Sequence, residues 1–235
     1  MTKILRISGT AMLLLGVVVS MGWAQEMPAP PPAPTEIPAA AEAAKPAPAT
    51  VAVIIHSTMG DVTVALEVER APITAKNFLR YVDSKRFDNI TWYRAMKLSD
   101  DGKYGIVQGG QRNPQLRYKT IAHESPTVTG LSHVDGAISM GRLEPGTAAA
   151  DFFVVVGNLI TMDGTTDGKD PGYAVFGHVT DGMDVIHAIM DLPRSEDASN
   201  PVMKGQMIKD PVKIISVRRV VPLAAPAPAP AKKKK

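Results

Sequence analysis

The alternation of apolar and polar side chains is clearest between residues 51 and 217. Val51-Ala52-Val53-Ile54-Ile55 is rich in β-branched residues, residues 57–61 carry turn chemistry, and Val62-Thr63-Val64-Ala65-Leu66 alternates as a half-buried strand does. The two segments read as a hairpin. Ala71-Pro72 then predicts a helix start, because Pro is tolerated in a first turn. Ala75, Phe78, Leu79 and Val82 fall at i, i+3, i+4 and i+7 and form one apolar face. Further strands are predicted at 91–93, 105–108, 137–140, 152–156, 173–179 and 212–217. A second helix fits 183–192, with Met183, Ile186, Ile189 and Met190 on one side. Many short strands, Gly-rich turns and two helices predict a mainly β fold, a barrel or sandwich with helical caps.

The chain outside this region has a different pattern. Lys3 and Arg6 precede an apolar run at 7–19, and Gly22-Trp23-Ala24 supplies small residues at the −3 and −1 positions of a cleavage site. Residues 1–24 are therefore expected to be a cleavable signal peptide, and the remainder to be exported, in a bacterium to the periplasm. Residues 25–50 hold eight of the chain's 20 prolines and almost no large apolar side chain, which predicts an extended spacer. Residues 222–235 repeat that Pro/Ala composition and end in Lys232-Lys233-Lys234-Lys235. What remains, residues 51–221, has the size of one domain.

Charge narrows the function. Residues 51–221 carry 19 Lys and Arg against 20 Asp and Glu, a net −1, so the formal +3 of the whole chain belongs to the four terminal lysines. Nucleic acid is not an expected partner. The lysine tail is expected at most to touch anionic envelope surfaces weakly, since salt screens charges on a flexible end. With no Cys in 235 residues, a disulfide framework, a Cys nucleophile and a Cys-zinc site are all excluded. The five histidines, His56, His123, His133, His178 and His187, do not fall at short metal-ligand spacings, and no metal or cofactor is expected. Ser139 or Ser132 with His133 could be proposed as part of a hydrolytic set, although sequence does not fix their geometry.

Three segments carry the functional signal. They are Phe87-Asp88-Asn89-Ile90-Thr91-Trp92-Tyr93-Arg94 with Ile106-Val107-Gln108-Gly109-Gly110; Gly136-Ala137-Ile138-Ser139-Met140-Gly141-Arg142 with Asp151-Phe152-Phe153-Val154; and Gly172-Tyr173-Ala174-Val175-Phe176-Gly177-His178-Val179. In their order and spacing, and in Ala71-Pro72-Ile73-Thr74-Ala75-Lys76-Asn77-Phe78 on the first helix, the chain resembles the cyclophilin-type peptidyl-prolyl cis/trans isomerases, in particular the exported bacterial branch. The resemblance spans nearly all of residues 51–221. It implies an eight-stranded antiparallel closed barrel capped by two α-helices, with a packed core and an active groove outside. It implies a monomer that needs no cofactor and acts on unfolded or partly folded Pro-containing polypeptides.

The reaction breaks no bond. Rotation about X-Pro costs roughly 18–20 kcal/mol because it disrupts amide resonance. A catalyst must therefore bind the twisted amide better than either planar form. A permanently charged donor aimed at the prolyl nitrogen does so, and Arg suits that task. By resemblance the donor is Arg94, the proline pocket is lined by Ile106, Phe153, Met162 and Tyr173, and Gln108 with the main chain at Gly141 and Arg142 holds the peptide backbone. Phe152, alternating with Phe153, is read as core. The chain departs from the family at five places, one of them a longer, polar loop, Lys97 to Lys103, between Arg94 and Gln108. Tyr93 replaces the usual His. Gly105 replaces an aromatic. Thr161 stands where an aromatic, often Trp, confers cyclosporin binding. Asp151 replaces the usual Gln and is expected to face Arg94. These departures imply altered efficiency and weak cyclosporin affinity. They also leave open a binding module of the same fold with little turnover.

Overall fold

The computed structural model describes residues 48–220. The expected signal peptide, nearly all of the spacer and the tail at 222–235 lie outside the described residues. Among the described residues nine strands occur, β1 (Val51–Ser57), β2 (Gly60–Leu66), β3 (Ile90–Lys97), β4 (Gly105–Gly110), β5 (Ala137–Met140), β6 (Asp151–Val156), β7 (Val175–Asp181), β8 (Arg194–Ser195) and β9 (Met207–Arg219). The helices are α1 (Pro72–Asp83), α2 (Pro126–Thr129) and α3 (Met183–Met190), with three single 3-10 turns. The antiparallel order β1-β2-β7-β5-β6-β4-β3-β9 closes through pairing of β1 with β9. The result is an eight-stranded barrel, to which β8 adds a two-residue ladder on β9.

The two-residue period of each strand fills this barrel. Trp92, Val107, Phe152, Val154, Ile138 and Phe176 point inward and are buried. The aromatic rings interlock. Phe78 from α1 lies 4.9 Å from Phe87, 5.2 Å from Phe152 and 5.3 Å from Phe176, and Trp92 meets Phe152 edge-on at 5.3 Å. Gly109 makes room for the indole, since a Cβ there would come within 2.9 Å of Trp92. No lumen remains, and a ligand has to bind outside.

The helices stopper opposite ends. α1 follows the end of β2 and α3 follows the end of β7, and these two strands are antiparallel neighbours. The predicted apolar faces are the buried ones. Ala75, Phe78, Leu79 and Val82 of α1 are buried, joined by Tyr81, and in α3 Ile186, Ile189 and Met190 are buried with Met183 half-buried. A third helix, the single turn α2, was not predicted, because four residues are too few for a period. Strand β7 begins at Val175 rather than Tyr173, since the Tyr173 N–H donates to the Met162 carbonyl at 2.9 Å instead of entering a ladder.

The start of α1 shows how loops hold the barrel in register. Ala71 has no side-chain oxygen to cap the helix. Glu124, fifty residues away, does so: its carboxylate accepts from the N–H of Ile73 at 3.0 Å, the N–H of Thr74 at 2.7 Å and the Thr74 hydroxyl at 2.6 Å. A carboxylate at a helix N-terminus satisfies orphan donors and complements the dipole. The adjacent His123 contacts the Pro171 carbonyl at 3.0 Å, so both residues of this pair serve structure. Replacing Glu124 with Ala leaves the fully buried Thr74 hydroxyl unpaired. It is expected to lower stability by about 1–2 kcal/mol, read as an earlier urea midpoint at unchanged slope.

Candidate active site

The site is built on a fault in β3. Trp92 pairs with Gly109 of β4, yet Arg94 pairs with the very next residue, Gln108. One extra residue is inserted, a β-bulge, and bulges re-aim the side chains that follow. Without it Arg94 would share the inward face with Ile90 and Trp92. With it, Ala95 turns inward and is fully buried, while Tyr93 and Arg94 both face outward. The partner on the other side yields too: along β9 the ladder jumps from Val212 to Met207. The skipped residues include Pro211, which has no N–H to offer a ladder.

Pairing then carries the outer face across the barrel. Arg94 pairs with Gln108, Gln108 with Phe153, and Phe153 with Ser139. Directly paired residues share a face. At about 4.8 Å between strands, the backbones of Arg94 and Phe153 stand about 10 Å apart, on one side of the molecule. Ile106, two residues before Gln108, joins the same face. Phe153 meets Tyr173 edge-on at 5.7 Å, and Tyr173 is tied to Met162 by the main-chain bond noted above. Ile106, Phe153, Met162 and Tyr173 thus form an apolar patch beside a guanidinium.

Arg94 is half-buried and held by two neutral acceptors. Its Nη1 donates to Gln108 Oε1 at 2.8 Å, and its Nε and Nη2 donate to Gln206 Oε1 at 2.8 and 2.5 Å. A further Nη2 contact reaches the Met96 sulfur at 3.3 Å. Three of five donors are engaged by amide oxygens and one by a thioether, which leaves one for a ligand. Burial pulls the guanidinium below its ordinary pKa, though an arginine stays protonated at any neutral pH. Gln206 was not predicted. It lies 112 residues from Arg94 in sequence, and no local pattern connects the two.

Asp151 does not pair with Arg94 as expected. Its Oδ2 accepts from Arg117 Nη2 at 2.5 Å, and its Oδ1 accepts from the Tyr93 hydroxyl at 2.9 Å. Tyr93 is held well above the usual phenol range by burial first and by the Asp151 charge second, so it acts as a donor. Gly141 packs against this group, and a Cβ there would come within 3.1 Å of both Asp151 Cβ and Gln108 Nε2. Its N–H donates to the Asp151 carbonyl at 2.7 Å. Among the described residues no hydrogen bond engages the Gly141 carbonyl or the Arg142 N–H, and these remain for an extended ligand backbone.

The other departures have local causes. A Cβ at Gly105 would strike the Met96 carbonyl at 2.3 Å and Met190 Cε at 2.7 Å, so no aromatic fits that position. Tyr104 beside it is exposed. Thr161 is exposed on the 3-10 turn that carries Met162.

The hydrolytic alternative finds its geometry but no access. His133 Nδ1 donates to Asp163 Oδ1 at 2.5 Å, which fixes the tautomer, and Nε2 accepts from the Ser139 hydroxyl at 3.0 Å. Ser132 also bonds Asp163. His133 and Ser139 have no exposed surface, and the imidazole lies face-on to the Phe153 ring at 6.1 Å. A nucleophile with no exposed atom cannot meet an ester. The network instead shores up Phe153 from beneath. Burial, outweighing the attraction of Asp163, holds His133 below its ordinary 6.5. The folded state therefore binds this proton less readily than the unfolded chain, and stability is expected to fall as pH drops below 6.5. His133→Gln should flatten that part of a melting-temperature profile taken from pH 8 to 5.5.

The profile of the family described as "Cyclophilin type peptidyl-prolyl cis-trans isomerase/CLD" matches residues 51–219. A "Peptidyl-prolyl cis-trans isomerase" of Acinetobacter baylyi is 31% identical over 167 residues, covering 70% of this chain and 82% of the relative. "Peptidyl-prolyl cis-trans isomerase cyp18" of Streptomyces antibioticus is 34% identical over 141 residues, covering 57% and 80%. Among solved structures, a cyclophilin-type isomerase of Cryptosporidium parvum, crystallised in the presence of the dipeptide Ala-Pro, superposes with a TM-score of 0.57 at 20% identity, over 72% of this chain and 99% of that one.

Proposed function

The chain belongs to the cyclophilin-type peptidyl-prolyl cis/trans isomerases, and we propose that it turns over X-Pro bonds in exported, still-folding polypeptides with Arg94 as the donor. The carrying observation is the single row of paired residues that sets the spare donor of Arg94 beside the apolar patch around Phe153. The proline ring rests on Ile106, Phe153, Met162 and Tyr173. The peptide lies extended along Gln108 and the free main-chain groups of Gly141 and Arg142, a mode that reads backbone more than side chains.

As the bond twists, the prolyl nitrogen loses conjugation and regains its lone pair. The remaining N–H of Arg94 then meets an acceptor that exists only near the transition state. Stabilisation confined to that state raises the turnover rate instead of merely tightening binding. Tyr93 is a wall of the groove, anchored through Asp151. Arg94→Ala is expected to lower kcat/KM on an Ala-Pro peptide by about 100-fold, in line with the loss of one preorganised donor. Arg94→Lys should recover only a fraction, because an ammonium cannot span Gln108 and Gln206 while also facing the substrate. Equal rates for wild type and Arg94→Ala would overturn the assignment.

Export rests on the residues of the leader: Lys3 and Arg6, the apolar run at 7–19, and Gly22-Trp23-Ala24. Slow X-Pro isomers limit folding over tens of seconds, which gives an isomerase in that compartment its clients. The mature protein is expected to begin at Gln25 and to appear in the periplasmic fraction. N-terminal sequencing of the protein from fractionated cells checks both, and an intact Met1 in the cytoplasm would refute them.

A further inference from the structure

A cavity of about 670 Å³ opens beside the row just described and shares Gln108 with it, and Tyr93 forms another part of its wall. The charged side chains in its walls are Arg112, Arg117, Arg142 and Asp151. Their backbone origins differ: Arg112 follows β4, Arg117 ends the 3-10 turn at Pro114–Leu116, Arg142 follows β5 and Asp151 opens β6. Three loops and a strand thus deliver three guanidinium groups and one carboxylate to one hollow, a local excess of two positive charges in a domain whose own net charge is −1.

The carboxylate does not serve all three. Asp151 is spent on Arg117 and on the Tyr93 hydroxyl. Arg112 lies with its guanidinium carbon 4.5 Å from the centroid of the Tyr93 ring, and Arg142 with its own 4.6 Å from that of Tyr173. Arg142 also donates to the carbonyls of Gly172 and Leu143. Among the described residues neither Arg112 nor Arg142 has a carboxylate partner within ion-pair distance. Stacking on tyrosine fixes the two guanidinium planes without neutralising them. Low-dielectric walls around fixed charges of one sign focus the field on whatever enters.

We propose that this cavity is a subsite for the carboxylate side chain of an Asp or Glu in the substrate, placed within two or three residues of the isomerised proline. It rests on the isomerase reading above and adds a substrate preference to it. The position follows from reach: an extended chain advances about 3.3–3.6 Å per residue, and Gln108 borders both the cavity and Arg94. Arg112 and Arg142 take the carboxylate, while Asp151 holds Arg117 in place and repels a second acid. A lysine in the same position meets two uncompensated guanidinium groups.

The experiment measures kcat/KM by exchange NMR on a set of Ala-based peptides with one Pro, in which Glu, Gln or Lys is walked through the three positions on either side. At one position Glu should exceed Lys by about ten-fold, with Gln between, and the ratio should shrink in 1 M salt as screening shortens to about 3 Å. Arg112→Gln should reduce the Glu-to-Lys ratio about three-fold while the rate on the Gln peptide stays unchanged. Equal rates for Glu and Lys at every position, or a ratio indifferent to Arg112→Gln, would overturn the subsite while turnover of the Gln peptide keeps the isomerase reading intact. Failure to turn over any peptide would remove both.

Discussion

Everything on the outer face follows from the extra residue that β3 carries at Tyr93. A two-residue strand period allows no choice: side chains alternate, and Arg94 would otherwise point with Trp92 into an apolar core. A guanidinium there would have to be desolvated without a counter-charge, at a cost the fold could not offset. The bulge resolves this by keeping Trp92 inside and turning Arg94 out within two positions. The β9 ladder is interrupted at the same point, between Val212 and Met207, and where it resumes at Met207 the preceding residue, Gln206, reaches the guanidinium. The insertion thus places the donor, and Gln206 aims it.

The departures at Gly105, Asp151 and Thr161 read differently once their surroundings are known. Gly105 is a packing requirement, since β4 there runs too close to Met96 and Met190 for any side chain. Asp151 anchors the cavity wall through Tyr93 and Arg117 and leaves the guanidinium of Arg94 to the glutamines. Thr161 is an exposed residue on a turn whose packing against the core is made by the half-buried Met162. What supports the apolar patch is instead a polar network. His133, Ser139, Asp163 and Ser132 satisfy one another beneath Phe153, and a buried polar cluster with its partners matched holds a ring more firmly than loose apolar packing does.

Much of this was legible in the sequence, and the reasons for what was not are specific. Period-two and period-3.6 patterns gave all eight barrel strands and both long helices, because burial of alternate or same-face residues is written locally. Phe153 was assigned to the proline pocket by resemblance, and Phe152 to the core because it alternates with Phe153. The bulge was invisible, since Thr91-Trp92-Tyr93-Arg94 reads as an ordinary strand. Gln206, Asp163, Glu124 as a cap, and the cavity arginines Arg112 and Arg117 were missed for one reason: each acts across a separation in sequence that only the closed barrel bridges. Asp151 was expected to face Arg94 because it stands where the family usually has Gln, but nothing in the sequence announced that Arg117 would reach it first.

The choice of partners for Arg94 has a chemical logic. A carboxylate would orient a guanidinium most strongly, through paired charge-assisted bonds. It would also neutralise the group and claim the donors a substrate needs. Amide oxygens orient without neutralising. Gln108 and Gln206 fix the plane of the guanidinium from two sides, leave its full charge in a half-buried setting, and leave one N–H unspent. The carboxylate of Asp151 is meanwhile kept occupied by Arg117 and Tyr93. A weak acceptor such as a twisted imide nitrogen competes poorly against Asp or Glu but acceptably against a thioether and two neutral amides. The acid sits two strands away from the donor, on β6 against β3, and that separation is what allows a transient lone pair to be the best acceptor Arg94 meets.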